Sequence, residues 1–153
     1  EAYDESKKAS FNIMQLNSLG ELAYIALQEK QYDKFKFIKK EYDEYLKTWS
    51  KKGYPTNFEG LLLKYIGDFN LATDNPKEAV KKYLKGLPLI AVHEFLKTYA
   101  LPDQLEDIEE RLKSCPEVKN ELGKKLSDLW KKRSDLARSH PEARRFFIRW
   151  QKG

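Results

Sequence analysis

Residues 65–86 read Tyr65-Ile66-Gly67-Asp68-Phe69-Asn70-Leu71-Ala72-Thr73-Asp74-Asn75-Pro76-Lys77-Glu78-Ala79-Val80-Lys81-Lys82-Tyr83-Leu84-Lys85-Gly86. The stretch encodes two amphipathic helices joined by a tight turn. Asp74-Asn75-Pro76 is a stop-and-restart signal, because Asp and Asn accept turn geometry and Pro suits the first turn of the next helix. Gly67 lets one helix approach its neighbour closely, and Ala79 followed by Tyr83 sets a small and a large packing residue one turn apart.

Working outward towards the N-terminus, Ile13, Leu16, Gly20, Ala23 and Leu27 recur at three- and four-residue steps and predict a helix over 11–30 with one buried stripe. Phe35, Ile38, Tyr42, Tyr45 and Trp49 repeat the pattern, and the short Gln31-Tyr32-Asp33 link implies an antiparallel hairpin. Gly53 and Pro55 oppose continuation. Thr56-Asn57-Phe58-Glu59 then reads as a capping box opening a third helix, with Leu62, Tyr65, Ile66 and Phe69 on its apolar face.

Pro76 starts the partner helix, which buries Ala79, Tyr83 and Leu87 and is expected to stop at Gly86-Leu87-Pro88. Leu89–Ala100 is expected as a fifth helix packing through Ile90, Leu96, Tyr99 and either Val92 or His93. Leu101-Pro102-Asp103 opens a sixth with Leu105, Ile108 and Leu112 inward, its acidic and basic ends matching the helix dipole. Ser114-Cys115-Pro116-Glu117 and Ser139-His140-Pro141-Glu142 look like two copies of one start signal. The first opens a long helix striped by Val118, Leu122, Leu126 and Leu129, the second a short one carrying Phe146, Phe147 and Trp150. No segment alternates every second residue as a half-buried strand does. The expectation is a single all-α domain over 1–153, with about eight helices in antiparallel succession.

Ile66, Gly67, Ala79, Tyr83 and Gly86 resemble the tetratricopeptide repeat family in their spacing, in which a small residue lies twelve positions after the Gly, an aromatic four later and a second small residue three beyond that. Leu19-Gly20 followed by Tyr32, Phe35 and Ile38 is a looser copy with about three extra residues. The two glycines stand 47 residues apart, against a family period of about 34. The resemblance covers residues 10–87 and leaves 88–153 as a helical extension with a basic C-terminal part. It implies a short α-solenoid, or a compact bundle built from similar pairs, whose concave face holds a protein or peptide. Such a face is lined by the first helix of each pair, which makes Asn17, Glu21, Lys64 and Asn70 the candidate partner contacts. Similar modules end large signalling or defence ATPases and transcription regulators. By that analogy the chain is expected to be a fragment of a larger signalling or regulatory protein, an expectation its non-Met first residue also prompts.

Composition bounds the alternatives. At 153 residues the chain can bury a core without staples, and 35% charged with 13% aromatic residues suits solvated helices with ringed seams. The one cysteine, Cys115, excludes an internal disulfide and a thiolate zinc cluster, so a reducing, cytoplasmic setting is expected. No apolar run reaches the roughly 20 residues that cross a bilayer. His93 and His140 form no metal-ligand spacing, and glycine-rich phosphate loops are absent, so no metal and no cofactor is expected. Asp103, Glu106, Asp107, Glu109 and Glu110 could be read as paired catalytic carboxylates, but Leu105 and Ile108 interrupt them at helical spacing and a solvated face is the simpler reading. The chain is therefore expected to be no enzyme.

Charge gives the rival reading. From Pro116 to Gly153 eleven Lys or Arg stand against five Asp or Glu, a net +6 within a chain of net +5. Lys131, Lys132, Arg133, Arg144, Arg145 and Arg149 could meet an acidic protein partner, or, with Phe146, Phe147 and Trp150 among them, phosphates and unpaired bases. The aromatics equally fit the apolar stripe of a terminal helix.

Overall fold

The computed structural model describes residues 2–49, 56–92 and 101–151, with side chains from residue 11 and excepting Trp49. Among the described residues there are eight α-helices and no strand: α1 (Ala2–Gln28), α2 (Tyr32–Trp49), α3 (Thr56–Ala72), α4 (Pro76–Val92), α5 (Leu101–Arg111), α6 (Pro116–Lys132), α7 (Ser134–Ser139) and α8 (Ala143–Gln151). The all-α expectation holds.

The turns after α1 and α3 share one geometry. Lys30 and Asp74 have φ of 58° and 61°. Around them Lys30 N–H donates to Leu27 O and Gln31 N–H to Ala26 O, while Asp74 N–H donates to Leu71 O and Asn75 N–H to Asn70 O. This paired return satisfies carbonyls at a helix end, and the left-handed residue reverses the chain. Counted from these turns, Ala23 occupies the place of Gly67. Gly20 is therefore out of register with Gly67, and it lacks the same packing duty. A methyl on Gly20 would lie an ordinary 3.6 Å from Leu61 and Tyr65, whereas one on Gly67 would lie 2.7 Å from the Tyr83 ring.

Helix α4 runs through Gly86 and Pro88, which corrects the expected stop. Pro88 cannot donate to Leu84 O, and such a residue costs about 3 kcal/mol inside a helix. Continuing the helix buries Leu87, Pro88, Ile90 and Ala91, and each large apolar side chain so buried returns about 1.5–3 kcal/mol. Burial outweighs the lost bond. Gly86 is no cap. It meets Gly60 of α3, where a methyl on either glycine would lie 2.6–2.7 Å from the other's carbonyl oxygen. The start of the expected fifth helix, 89–92, thus belongs to α4, and its remainder, His93 included, lies outside the described residues.

Both start signals precede a helix as expected, α6 from Pro116 and α8 from Ala143, but neither serine is its cap. Cys115 precedes α6 without a side-chain cap bond, and Pro116 takes the first helical position. Ser139 closes α7, a short helix the sequence pattern did not reveal. The apolar side chains collect into two clusters: one from α1, α2 and α3 around Leu16, Phe35, Tyr42 and Leu61, and one from α4 to α8 around Tyr83, Leu105, Leu126 and Phe147. In the second, α8 presses on α6 at Gly123, where a methyl would lie 2.7 Å from Phe147 O.

Candidate functional site

The four expected partner contacts do not form one exposed row. Lys64 is 1% exposed, which overturns the exposure expected of it. Its helix position turns it inward, towards α5. Lys64 Nζ donates to Asp68 Oδ2 at 2.6 Å and to Asp107 Oδ2, and Arg111 Nε donates to Asp107 Oδ2 at 2.7 Å. Arg111 Nε also lies 3.4 Å from Asp68 Oδ2. Tyr83 Oη donates to the remaining Asp68 oxygen at 2.6 Å, and Arg111 Nη2 reaches Gln28 of α1 at 3.1 Å.

Two cations and two carboxylates therefore balance in a closed network joining α1, α3, α4 and α5. Burial and the Asp68 carboxylate push the Tyr83 hydroxyl well above its ordinary range, so it stays protonated and donates. Burial alone would raise the Asp107 carboxyl, but Lys64 and then Arg111 outweigh it and hold the group below its usual value. Arg111 is likewise raised, the pull of Asp68 and Asp107 exceeding the effect of burial. A network so fully paired is a structural clamp. Asp107 thus departs from the solvated face expected of the acidic run, as does Glu109. Asp103, Glu106 and Glu110 are exposed, as that reading requires.

Asn17 and Asn70 are partly buried on α1 and α3, and Glu21 is exposed on α1. The surface of α1 carries a feature the sequence reading missed. Phe11, Met14, Leu22 and Ile25 are 56%, 66%, 45% and 48% exposed. Their steps of three and eight residues put them on one helix face, away from the face that buries Leu16, Ala23 and Leu27. A second three-and-four series in one helix was the available signal.

The basic C-terminal residues divide by what they touch. Arg149 forms a two-pronged bridge to Glu109, both contacts 2.8 Å, and lies 4.7 Å over the Phe146 ring. The hydrogen bonds from Arg149 hold the Glu109 carboxyl below its ordinary range. Arg133 is tied to Asp135 at 3.0 and 2.9 Å, which brings that carboxyl down to about 2. Lys131, Lys132, Arg144 and Arg145 are exposed. Lys131 and Arg144 line an open groove of about 310 Å³ with Trp130, Ser134, Ala137 and Arg138. Trp130 Nε1 is buried there with no hydrogen-bond partner among the described residues. Phe147 and Trp150 are fully buried, so neither face is open to a nucleic-acid base.

Among the described residues no group of His, Cys, Asp or Glu could hold a metal ion, and no helix is long and apolar enough to cross a membrane. His140 is 6% exposed and its Nε2 donates to Ala91 O at 2.7 Å, which ties the turn after α7 to the end of α4. The chain matches no known family model, no curated protein and no solved structure.

Proposed function

We propose that this chain is a non-enzymatic protein–protein interaction module, built from tetratricopeptide-like helix hairpins and working within a larger signalling or regulatory protein in the cytoplasm. The observation that carries the reading is the exposed apolar row Phe11, Met14, Leu22 and Ile25. A soluble surface that holds four large apolar side chains in line forgoes favourable burial, and such patches mark contact sites. The titratable residues support the non-enzymatic part: Lys64, Asp68, Tyr83, Asp107 and Arg111 satisfy one another and leave no aimed, unpaired group. Affinity capture tests the reading. Protein partners that survive nuclease treatment, and that are lost on Met14→Glu, are the expected result.

Nucleic-acid binding through the basic C-terminal helices is the second reading, favoured by the groove of Trp130, Lys131, Ser134, Arg138 and Arg144. It lacks stacking faces at Phe147 and Trp150, which leaves the phosphate contacts and the half-buried Phe146, whose ring Arg149 already covers at 4.7 Å. Tight binding that falls steeply with salt and is lost on replacing Arg144 and Arg145 would place it first. Binding too weak to measure at low salt would dismiss it.

A further inference from the structure

Trp130 and Trp150 belong to the same core cluster, and only one of them completes its hydrogen bonding. Trp150 Nε1 donates to Glu109 at 3.0 Å. Trp130 Nε1, also buried, meets no acceptor among the described residues. A buried indole ordinarily finds one, because a stranded N–H has given up its bond to water for nothing in return. Trp130 stands in the last turn of α6, is 1% exposed, and sets its ring T-shaped against Phe147 with centroids 4.9 Å apart. It also borders the open groove of about 310 Å³ between α6, α7 and α8. An acceptor can reach the indole from there.

The groove carries charge of one sign. Lys131 of α6, Arg138 of α7 and Arg144 of α8 line it beside Trp130, Ser134 and Ala137, and no carboxylate does. Neighbouring cations are already matched, Lys125 by Glu121, Arg133 by Asp135 and Arg149 by Glu109. Lys131, Arg138 and Arg144 have no ion-pair partner among the described residues. We infer that the groove binds a phosphate monoester carried on a phosphoserine or phosphothreonine side chain of a protein partner. One phosphoryl oxygen accepts from Trp130 Nε1–H, and the others meet Arg144, Arg138 and Lys131. This ligand rests on the interaction-module reading above and names a chemical mark that the partner bears.

Charge selects the ligand. Three unmatched cations exceed what one carboxylate neutralises, whereas a phosphate monoester carries about −1.5 to −2 at neutral pH and offers three acceptor oxygens. Arginine meets such an anion through two parallel N–H bonds, which fixes its orientation. A nucleic-acid phosphodiester suits the groove less well. It carries a single charge, and its chain continues on both sides, which holds it along a surface instead of down at a donor on the floor. Unpaired bases gain nothing here, since Trp130 is too buried to offer a stacking face. Nε1 is shielded from water, so an entering oxygen must displace side chains of the groove. Lys131 and Arg138 are long and exposed enough to move aside.

The assigned indole N–H signals of the full chain, followed by nitrogen-correlated NMR, test the proposal, with Trp150 as internal control. The probes are a blocked tripeptide of phosphoserine between two glycines, the same tripeptide without phosphate, and an oligothymidylate. The phosphopeptide should move the Trp130 signal downfield to saturation and leave Trp150 in place, and the plain peptide should move neither. Arg144→Gln should weaken binding about tenfold through loss of one charge-assisted pair. Arg145→Gln, exposed but outside the groove lining, should weaken it less than about twofold. Both arginines are exposed, so both variants should keep the parent melt. A Trp130 signal that the phosphopeptide leaves in place, equal responses to the two peptides, or equal losses at Arg144 and Arg145 would overturn the proposal. Oligothymidylate that moves the Trp130 signal at lower concentration than the phosphopeptide would also overturn it and give the groove to nucleic acid. Protein capture that is lost on Met14→Glu, with no phosphopeptide response, removes the phosphate site and leaves the interaction reading standing. Failure to capture any protein removes that reading as well.

Discussion

Gly60 and Gly86 meet across the α3–α4 crossing so closely that a methyl on Gly60 would lie 2.6 Å from Gly86 O, and one on Gly86 would lie 2.7 Å from Gly60 O. The contact is reciprocal and backbone against backbone, so neither side can yield by turning a side chain. It explains why a glycine sits inside α4 despite its poor helix propensity.

The first prediction follows from that contact. Alanine gains about 1 kcal/mol over glycine in a helix interior, while forcing apart a packed crossing costs about 1–3 kcal/mol. Gly60→Ala and Gly86→Ala should therefore lower stability, by urea denaturation. Gly20→Ala meets only ordinary contacts of 3.6–3.9 Å and should raise stability by up to about 1 kcal/mol. A loss at Gly20 as large as at Gly86 would refute the argument.

The second concerns Lys64. Replacing it with Met leaves Asp68 and Asp107 buried or half-buried with Arg111 as their one remaining cation, and breaking a buried pair in this way costs about 3–5 kcal/mol. Lys47→Met removes a lysine whose side chain is 76% exposed beside Asp43, and it should change stability by less than about 1 kcal/mol. Denaturation midpoints of the two variants decide it.

These two sites also show where the sequence stops being legible. The helix starts at Thr56, Pro76 and Leu101 and the stripe Leu16, Ala23 and Leu27 are written in neighbouring residues, because capping and periodicity are local. The helical pattern of Lys64 reads the same whether the residue faces water or α5. What turns it inward is Asp107, 43 positions away, and what carries α4 past Pro88 is the burial of Leu87, Ile90 and Ala91, with Gly60 giving room to Gly86 and Ile90 at the crossing. The row on α1 was legible in principle, since Phe11, Met14, Leu22 and Ile25 keep helical spacing. The neighbouring core stripe masked it, and only exposure separates the two.

The third prediction is a pH dependence. Asp107 is held below its ordinary value in the folded chain, so the unfolded chain takes up a proton first as pH falls. Its contribution is then fully present above the unfolded carboxylate value of about 4 and is lost as pH drops through the lower folded value. Glu109 shifts in the same direction. Stability should be level near neutrality and fall below about pH 4. In Asp107→Asn the neutral stability should be lower and the acid decline shallower, as measured by thermal melts from pH 7 down to about 3. An unchanged decline would remove Asp107 from the account.

The fourth separates the arginines of α8. Glu109 accepts from Arg149 twice at 2.8 Å and from Trp150 Nε1 at 3.0 Å, so one carboxylate of α5 holds the last helix in place. Arg149→Ala removes a half-exposed bridge and should cost up to about 1 kcal/mol. Glu109→Ala should cost more, about 1–3 kcal/mol, because it also strands the donor of the buried Trp150 ring. Arg144→Ala and Arg145→Ala, both exposed, should leave the melt within about 0.5 kcal/mol of the parent. A double-mutant cycle between Glu109 and Arg149 should return coupling, and one between Glu109 and Arg144 none. The distinction governs any polyanion-binding experiment on this surface. A loss of binding in Arg149→Ala would report a loosened α8, whereas the same loss in Arg144→Ala or Arg145→Ala, with an unchanged melt, would report contact with the ligand.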